Sequence, residues 1–359
     1  MAANNHYTLA EVNDLLKACQ SFGLEVIPLV QTFGHMEFIL KHERFSYLRD
    51  VEEMPESICP CQNNTMGVVR EIVDQVMAVH KKSKYLHIGC DEVFHLGECR
   101  QCNGSGRSSL FVNHVTKVAE YVNKSHNVQT IIWDDMLRNL FFDDLLPLSK
   151  IVEPMVWVYA EDVYRFVPSY TWDRYSMAFD YIWTASAFKG AHGETLVVPD
   201  VQRHLQDNLN WLALMAEEQP KLRGGFRGIA LTGWQRYDHF AVLCELLPAA
   251  IPSLAVNLIS TSNGFFNETL GKPLFKALGC VQHSGKYNSF VDLERDNFLW
   301  EKLNWCFFPG ANFFKMTKTL VNTEKEVDEF LDKLDTKRGW LTPSIPEIKF
   351  RYFIIGNNC

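Results

Sequence analysis

Two adjacent carboxylates, Asp91 and Glu92, are the residues of this sequence best placed for acid–base chemistry. They follow an apolar, strand-like run from Tyr85 to Cys90. Successive side chains of a strand point to opposite faces, so both carboxyls can line one pocket only if the backbone leaves strand geometry at about Cys90. One of such a pair can then stay ionised while the other holds a proton. A solvated turn can also contain an Asp-Glu pair, so the surrounding residues must decide.

A second group that could do chemistry consists of four cysteines. Cys59 and Cys61 form a Cys-x-Cys pair, and Cys99 and Cys102 form a Cys-x-x-Cys pair. Four thiolates could close a structural tetrahedral zinc site, although Pro60 constrains the tighter pair. The ten cysteines are irregularly spaced in a chain without a secretory signal. Free thiols are therefore the favoured prediction, and we expect neither a metal nor a cofactor.

Segments with helical and strand-like patterns alternate along the first 260 residues. Thr8 and Glu11 form a capping box at the start of the first helix. The predicted helices are 8–22, 66–80, 110–123, 200–217 and 240–259. The predicted strands are 24–30, 85–90, 128–133, 151–157, 180–184 and 228–232. This alternation predicts an α/β fold with a parallel sheet.

A (β/α)₈ TIM barrel is the favoured architecture. Polar residues cluster just after the predicted strands, which is where a barrel keeps its active site. A doubly wound sheet is the alternative, but the sequence lacks the glycine-rich phosphate turn that such a sheet favours. Six strands can be counted where a barrel needs eight. We therefore expect a barrel that lacks its first two strands.

The regular alternation ends at about residue 263. Residues 289–306 show helical spacing, and Thr323 with Glu326 forms a second capping box. The final residues show neither period. We predict an N-terminally incomplete barrel catalytic domain at 1–262, a helical C-terminal appendage at 263–343, and a tail at 344–359 that is a candidate for disorder.

The motif around the two carboxylates resembles a known signature. His87, Gly89, Asp91 and Glu92 make His-x-Gly-x-Asp-Glu, which is similar to the signature of glycoside hydrolase family 20, the β-N-acetylhexosaminidases. The resemblance covers about residues 8–260. It includes Gly34-His35, the tryptophans Trp133, Trp157 and Trp234 after later strands, and the runs 26–37, 185–191 and 231–239.

This resemblance implies a (β/α)₈ barrel and an exo-acting hydrolase that removes terminal N-acetylglucosamine or N-acetylgalactosamine. The partner would be a glycan or glycoconjugate with a terminal β-linked N-acetylhexosamine. Glu92 would be the general acid and then the general base. Asp91 would hold the acetamide N–H of the substrate, whose own carbonyl oxygen would attack the sugar, and it would stabilise the resulting positive charge.

The resemblance also implies roles for softer candidates. His35 would hydrogen-bond near Glu92, and Trp133, Trp157 and Trp234 would wall the acetamide pocket and floor the sugar site. Asp134 and Tyr159 would hydrogen-bond to the sugar or its acetamide. After the last strand the family commonly has Trp-x-Glu, whereas this chain has Gln235 and Arg236 after Trp234. The contact to the outer hydroxyls therefore cannot be transferred.

The two missing strands bear on activity. In the family they carry a sugar contact and an acid that supports the histidine, and this chain has only seven residues before its first predicted helix. An inactive truncated isoform or a sugar-binding fragment is the alternative to an active enzyme. Two exposed apolar strand edges would invite intermolecular pairing. We therefore expect poor solubility, which roughly 60–100 upstream residues would relieve.

The composition excludes several classes of partner. The formal net charge is -8, and the 35 Lys and Arg residues are scattered, which leaves no basic patch for nucleic acid. No uninterrupted apolar stretch approaches the roughly 20 residues of a membrane helix. We expect a cytoplasmic protein, with the nucleus as a second compartment, that binds neither nucleic acid nor membrane.

Overall fold

A computed structural model of the chain describes residues 5–102, 104–280 and 292–336. The chain forms two compact units. The first consists of Met1–Ser186 with Asn210–Ala230, and the second of Ala187–Leu209 with Leu231–Cys359. The predicted domain boundary at 262 thus lies inside the second unit, and the predicted tail lies outside the described residues. No helix in the described part of the chain is long and apolar enough to cross a membrane.

Eleven α-helices and seven strands are assigned within the described residues. The helices are α1 (Leu9–Ser21), α2 (Glu37–Leu40), α3 (Thr65–Val79), α4 (Arg107–His126), α5 (Phe142–Leu145), α6 (Ser169–Ala178), α7 (Val201–Glu218), α8 (Leu247–Asn263), α9 (Glu268–Ala277), α10 (Trp300–Leu303) and α11 (Ala311–Thr336). The strands are β1 (Arg49–Val51), β2 (Met54–Ile58), β3 (Tyr85–His87), β4 (Gln129–Trp133), β5 (Val152–Trp157), β6 (Tyr181–Lys189) and β7 (Gly225–Gly233).

The main sheet has the strand order β3-β4-β5-β6-β7, which is the order of the chain. The pairs from β3 to β6 are parallel, and a helix follows each strand before the next begins. A doubly wound sheet would reverse its strand order at a switch point, whereas a (β/α) barrel adds each strand beside the last. The predicted fold class is confirmed for the part of the barrel that these residues form. Among the described residues beyond 263 the structure has the helices α9, α10 and α11.

Residues 24–30, predicted as a strand, form only a single bridge. Leu29 pairs in parallel with His87, and hydrogen bonds of 2.9 Å join the Val30 N–H to the His87 carbonyl and the His87 N–H to the Pro28 carbonyl. Pro28 has no N–H to donate, and it interrupts a regular ladder. The segment nevertheless lies beside β3, as the predicted strand order requires.

The two predicted capping boxes have different outcomes. Thr8 caps α1 as predicted, since its hydroxyl accepts from the Glu11 N–H at 3.3 Å and its own N–H donates to the Glu11 carboxylate at 2.7 Å. Thr323 lies inside α11 and caps nothing. Its hydroxyl donates to the carbonyl of Thr319 at 2.9 Å, a bond that threonine can make without ending a helix.

Four cysteines form disulfides, contrary to the prediction of free thiols. Cys61 is joined to Cys102, and Cys280 to Cys306. These partners are 41 and 26 residues apart in sequence, and only the folded chain brings them together. Five further cysteines of the described residues are free, namely Cys19, Cys59, Cys90, Cys99 and Cys244.

Candidate active site

The segment that carries the two carboxylates leaves strand geometry just after β3. Cys90 has φ 69° and Glu92 has φ 50°, both in the left-handed region that non-glycine residues rarely occupy. Such conformations cost about 1–3 kcal/mol each and persist where the surrounding structure enforces them. This confirms the predicted departure at Cys90, which lets both carboxyls reach one side of the sheet.

Gly89 makes this turn possible. Its φ is 70°, and a Cβ atom there would lie 1.8 Å from the Gln31 side-chain oxygen. The Gln31 amide occupies this space because it binds the turn twice. Its oxygen accepts from the Cys90 N–H at 3.2 Å, and its nitrogen donates to Asp91 Oδ1 at 2.9 Å.

His35 joins the two carboxylates. Its Nε2 lies 3.3 Å from Asp91 Oδ2 and 3.2 Å from Glu92 Oε2. Burial alone would lower the pKa of His35, but hydrogen bonds to both carboxylates and their charges outweigh it and raise this pKa to about 10. The imidazole is therefore a cation at neutral pH.

The same contact keeps Asp91 ionised. Burial alone would raise the pKa of Asp91, but the hydrogen bond and charge of His35, together with the Gln31 amide, lower it. Asp91 is the more enclosed of the two acids, since 13% of its side chain is exposed against 38% for Glu92. The ionised carboxylate of Asp91 thus lies next to Glu92, which is the more accessible acid.

A third carboxylate, Asp135, positions Glu92. Its Oδ2 accepts from the Glu92 N–H at 2.8 Å, and its Oδ1 accepts from the Trp157 indole N–H at 3.1 Å. Burial raises the pKa of Asp135 to about 7, and the charges of Asp134 and Asp91 add to that effect. Asp135 therefore changes charge close to neutral pH.

Asp134, predicted as a sugar contact, is fully buried and bound on all sides. Arg138 donates to its two oxygens at 2.7 and 2.8 Å, the Tyr175 hydroxyl lies 3.2 Å away, and the Trp157 N–H donates at 3.2 Å. These bonds tie the end of β4 to the end of β5. The carboxylate that lines the pocket belongs to the next residue, Asp135.

The predicted aromatic residues occupy three different settings. Trp157 lines the pocket, and Tyr159 packs against it with ring centroids 5.3 Å apart. Trp133 is 4% exposed, among the buried apolar side chains of the sheet, with its ring 4.4 Å from that of His87. Trp234 belongs to the second unit, where its carbonyl accepts a hydrogen bond from Lys189. Its role at the sugar stays a prediction.

A cavity of about 540 Å³ opens beside Glu92, within the range of small-molecule sites. Its walls combine the acid, the third carboxylate, one indole and apolar side chains, and they include Glu92, Phe94, Phe111, Asp135, Met136, Arg138 and Trp157. An apolar and aromatic wall beside the carboxylates of Glu92 and Asp135 suits a ring with polar substituents. The chemistry that these groups can do is proton transfer to and from a bound ligand.

Sequence reasoning missed two residues of this site, Gln31 and Asp135. Gln31 lies within the run 26–37 that carried the family resemblance, so its position was available although its role was not. Asp135 is adjacent to Asp134, and no periodic pattern distinguishes two consecutive aspartates after a strand. Three groups of side chains, each lying within a single unit, have the spacing of metal ligands: His35 with Asp91 and Glu92, Asp50 with Cys59, Cys99 and Cys102, and His192 with His204 and Asp207.

The charge of His35 leads to a testable pH dependence of stability. A pKa raised from 6.5 to about 10 stabilises the folded state fully below pH 6.5, and this contribution is lost as pH rises through about 10. We expect His35→Gln to be less stable than the parent protein at pH 6, by at most about 5 kcal/mol, with the difference shrinking towards pH 10. Urea unfolding of both proteins at several pH values measures this difference.

The matched control is His126→Gln, which removes an imidazole–carboxylate contact of 2.8 Å to Asp74 outside the site. A difference between His35→Gln and the parent that stays constant from pH 6 to pH 10 would contradict the assigned charge of His35. If the stability difference from the parent were equally independent of pH for His35→Gln and His126→Gln, the contact of His35 with Asp91 and Glu92 would make no specific contribution to stability.

Comparison with known proteins gives consistent matches. The model of the glycosyl hydrolase family 20 catalytic domain matches residues 1–165. Hexosaminidase D of Homo sapiens is 36% identical over 356 residues, which cover 96% of this chain and 70% of that protein. Hexosaminidase D of Bos taurus is 38% identical over 289 residues, covering 78% of this chain and 83% of that protein.

Solved structures also resemble the chain, at lower similarity. Dispersin B has a TM-score of 0.41 at 15% identity and covers 63% of this chain and 69% of its own. A mutant Streptomyces plicatus β-hexosaminidase in complex with the product GlcNAc has a TM-score of 0.42 at 15% identity, covering 72% of this chain and 54% of its own.

The two hexosaminidase D relatives share more than a third of their aligned residues with this chain and align with most of it. The family model spans the segment that carries His35, Asp91, Glu92 and Asp135. The family resemblance inferred from the His-x-Gly-x-Asp-Glu motif is thereby confirmed, and the chain belongs to glycosyl hydrolase family 20.

Proposed function

We propose that this chain is an exo-acting β-N-acetylhexosaminidase that works by substrate-assisted, retaining hydrolysis. Membership of family 20 makes it a glycoside hydrolase with hexosaminidase relatives. Terminal β-linked N-acetylglucosamine or N-acetylgalactosamine on a glycan is the proposed substrate. The proposal rests on one observation above all: Asp91 and Glu92 both bind the same nitrogen of His35.

This arrangement argues against a mechanism in which the enzyme supplies its own nucleophile. Such a mechanism needs two carboxyls on opposite faces of the sugar, about 5–5.5 Å apart. Two consecutive residues that share one imidazole nitrogen do not flank a sugar ring. A nucleophile from the substrate removes the difficulty, because the acetamido group on the adjacent carbon C2 can reach C1 from the face opposite the leaving group.

In the first step Glu92 donates its proton to the glycosidic oxygen while the acetamide carbonyl oxygen attacks C1. The bond from C1 to the leaving oxygen breaks, and a cyclic oxazolinium ion forms. Asp91 accepts a hydrogen bond from the acetamide N–H and stabilises the positive charge that develops there. The lowered pKa of Asp91 suits this role, because hydrogen bonds and the charge of His35 overcome its burial and keep it ionised.

In the second step a water molecule attacks C1 while the Glu92 carboxylate takes one of its protons. The ring of the oxazolinium opens, and the product keeps its original configuration. Asp135 supports both steps by holding the Glu92 backbone N–H, and Trp157, bound to Asp135, offers an indole face to the sugar. In this proposal Asp135, which lines the cavity, supports Glu92, and the sugar contact expected for Asp134 stays a prediction.

The decisive measurement is hydrolysis of a chromogenic N-acetylhexosaminide combined with a thiazoline inhibitor. We expect turnover by the purified chain and thiazoline binding at least 10²-fold tighter than free N-acetylglucosamine, because the thiazoline mimics the oxazolinium ion. The anomeric configuration of the first product, read by NMR, should be β. Sugar binding without turnover would favour the alternative of an inactive sugar-binding fragment.

The cellular compartment is a separate part of this proposal. The proposed compartment is the cytoplasm, with the nucleus as a second compartment. Fractionation of cells that express the tagged natural protein tests this. Recovery from the secretory pathway with glycosylated Asn63, Asn123 or Asn267, which lie in acceptor sequons, would contradict it.

A further inference from the structure

Two loops of the first unit bring four cysteine sulfurs together. Cys59 and Cys61 follow β2, and Cys99 and Cys102 lie in the loop that precedes α4. Cys59 Sγ is 2.9 Å from Cys99 Sγ and 3.6 Å from Cys102 Sγ, and Cys61 is joined to Cys102. Residues about forty positions apart in sequence therefore form a single sulfur cluster.

We propose that these four cysteines, when all are reduced, bind one structural Zn²⁺ ion. Zinc bound by four thiolates is tetrahedral with Zn–S bonds of about 2.3 Å, which places the sulfurs about 3.8 Å apart. The separation of Cys59 and Cys102 is already close to this value, and that of Cys59 and Cys99 needs to open by about 1 Å. The site would be closed, with no position for water or substrate.

The backbone around the cluster is organised as metal-binding loops require. The Cys102 N–H donates to Cys99 Sγ at 3.3 Å, a bond that stabilises a thiolate and holds the Cys-x-x-Cys turn. On the other loop the Cys59 N–H donates to the Leu48 carbonyl at 2.7 Å, and the Thr65 hydroxyl donates to the Cys59 carbonyl at 2.6 Å. The Cys-x-x-Cys turn and the backbone at Cys59 are therefore each fixed by hydrogen bonds.

Asp50 also lies at the cluster, but its bonds give it a supporting role. Its carboxylate accepts from the N–H groups of Gly97, Glu98 and Cys99 at 2.9, 2.7 and 2.9 Å. Three such bonds occupy the carboxylate and fix the loop that carries the Cys-x-x-Cys turn. The cysteines are thus the preferred ligands, and Asp50 orients one of them.

The disulfide and the zinc site exclude each other, because Cys61 and Cys102 cannot be both joined and free. Reduction by a dithiol breaks the S–S bond, and each sulfur gains one hydrogen while the dithiol becomes a disulfide. Zn²⁺ then replaces the protons of the four thiols, which pass to solvent. The cluster therefore has an oxidised, metal-free state and a reduced, zinc-bound state.

The site would stabilise the wall of the catalytic pocket. The loop from Val93 to Cys102 begins directly after Glu92, and Val93, Phe94 and Leu96 line the cavity. Arg107 already holds this loop, donating to the carbonyls of Leu96 and Phe94 at 3.0 and 2.9 Å. A metal bound by Cys99 and Cys102 would fix the end of the loop that is farther from Glu92. The loop would then be held at both ends, which would help to position Glu92.

This proposal reverses the preference for free thiols that the sequence favours. Spacing alone could not show that the Cys-x-Cys and Cys-x-x-Cys loops meet. The proposal does not depend on the hydrolase activity, since its readout is metal content. Loss of catalysis and loss of metal can therefore be distinguished.

The test is elemental analysis of the full chain, expressed with added zinc and purified under a dithiol reductant without chelator. We expect about one zinc per chain, and after exchange to Co²⁺ an intense sulfur-to-cobalt charge-transfer absorption with the visible bands of tetrahedral cobalt. Cys59→Ser and Cys99→Ser should lose most of the metal. Cys19→Ser, a free cysteine on α1 outside the cluster, is the matched control and should keep it.

Measurements on the unmodified protein decide the question even if the serine variants do not fold. Reduced, folded protein that holds less than about a tenth of an equivalent of zinc and shows no cobalt–sulfur absorption would overturn the proposal. Zinc retained in a folded Cys59→Ser, Cys99→Ser double variant would overturn it as well. If the Cys61–Cys102 disulfide persisted under excess dithiol and no metal were bound, the proposal would also be overturned. The cluster would then hold a permanent disulfide.

Discussion

Glu92→Gln is expected to lower kcat for an N-acetylhexosaminide by about 10²–10⁴-fold, the usual effect of losing a general acid and base. Glutamine keeps the size of the side chain and can still meet His35, but it has no proton to give to the glycosidic oxygen. The loss should be largest for poor leaving groups, which need the proton most. For a leaving group such as dinitrophenolate the first step should be nearly restored, and the second step should become limiting.

Two observations separate this role from a structural one. Thiazoline affinity of Glu92→Gln should stay within about tenfold of the parent, because Asp91 still holds the acetamide-like nitrogen. Added azide should accelerate the second step of the variant, since azide attacks C1 without a base. Glu120→Gln, which breaks only a surface ion pair with Lys124, is the control and should be fully active. Undiminished turnover in Glu92→Gln would refute its assignment as the acid.

The elements that position the site could be predicted because their patterns are local. Val69, Val73 and Met77 of α3 are buried at helical spacing, and the run at 128–133 becomes β4 with four of its five residues buried. The turn at Cys90 followed from geometry, since two neighbours on a strand cannot share a pocket. The left-handed backbone at Cys90 and Glu92 is how the chain meets that requirement.

Other features depended on contacts that no local pattern records. Residues 24–30 are as apolar as a buried strand, yet Pro28 limits their pairing to one bridge with β3. Thr323 and Glu326 have the spacing of a capping box but lie within α11, because a helix that continues on both sides needs no cap there. Propensity describes what a segment can form, and tertiary packing decides between the options.

The side chains beyond a strand end were the hardest to place. Asp134 and Asp135 follow β4 as consecutive aspartates, and the first is bound by Arg138 while the second reaches Glu92. Beyond the end of the strand, side chains no longer alternate between its two faces. The sequence alone therefore gives no reason to assign the pocket to Asp135 and not to Asp134. The proximity of the four cysteines also depends on contacts between distant parts of the chain, which the sequence does not record.

Asp91→Asn should lower kcat by about 10²–10³-fold, similar to removing one preorganised group that stabilises developing charge. Asparagine cannot supply the negative charge that the oxazolinium ion needs, and its amide can present N–H where the acetamide N–H requires an acceptor. Thiazoline affinity should fall by a comparable factor, in contrast to Glu92→Gln, because Asp91 acts on the intermediate and not on the leaving group. Asp14→Asn, an exposed residue of α1, is the control. Measuring turnover and thiazoline binding in both variants tests the division of labour: if Asp91→Asn lost turnover but kept full thiazoline affinity, the nucleophile would not be the substrate's acetamide.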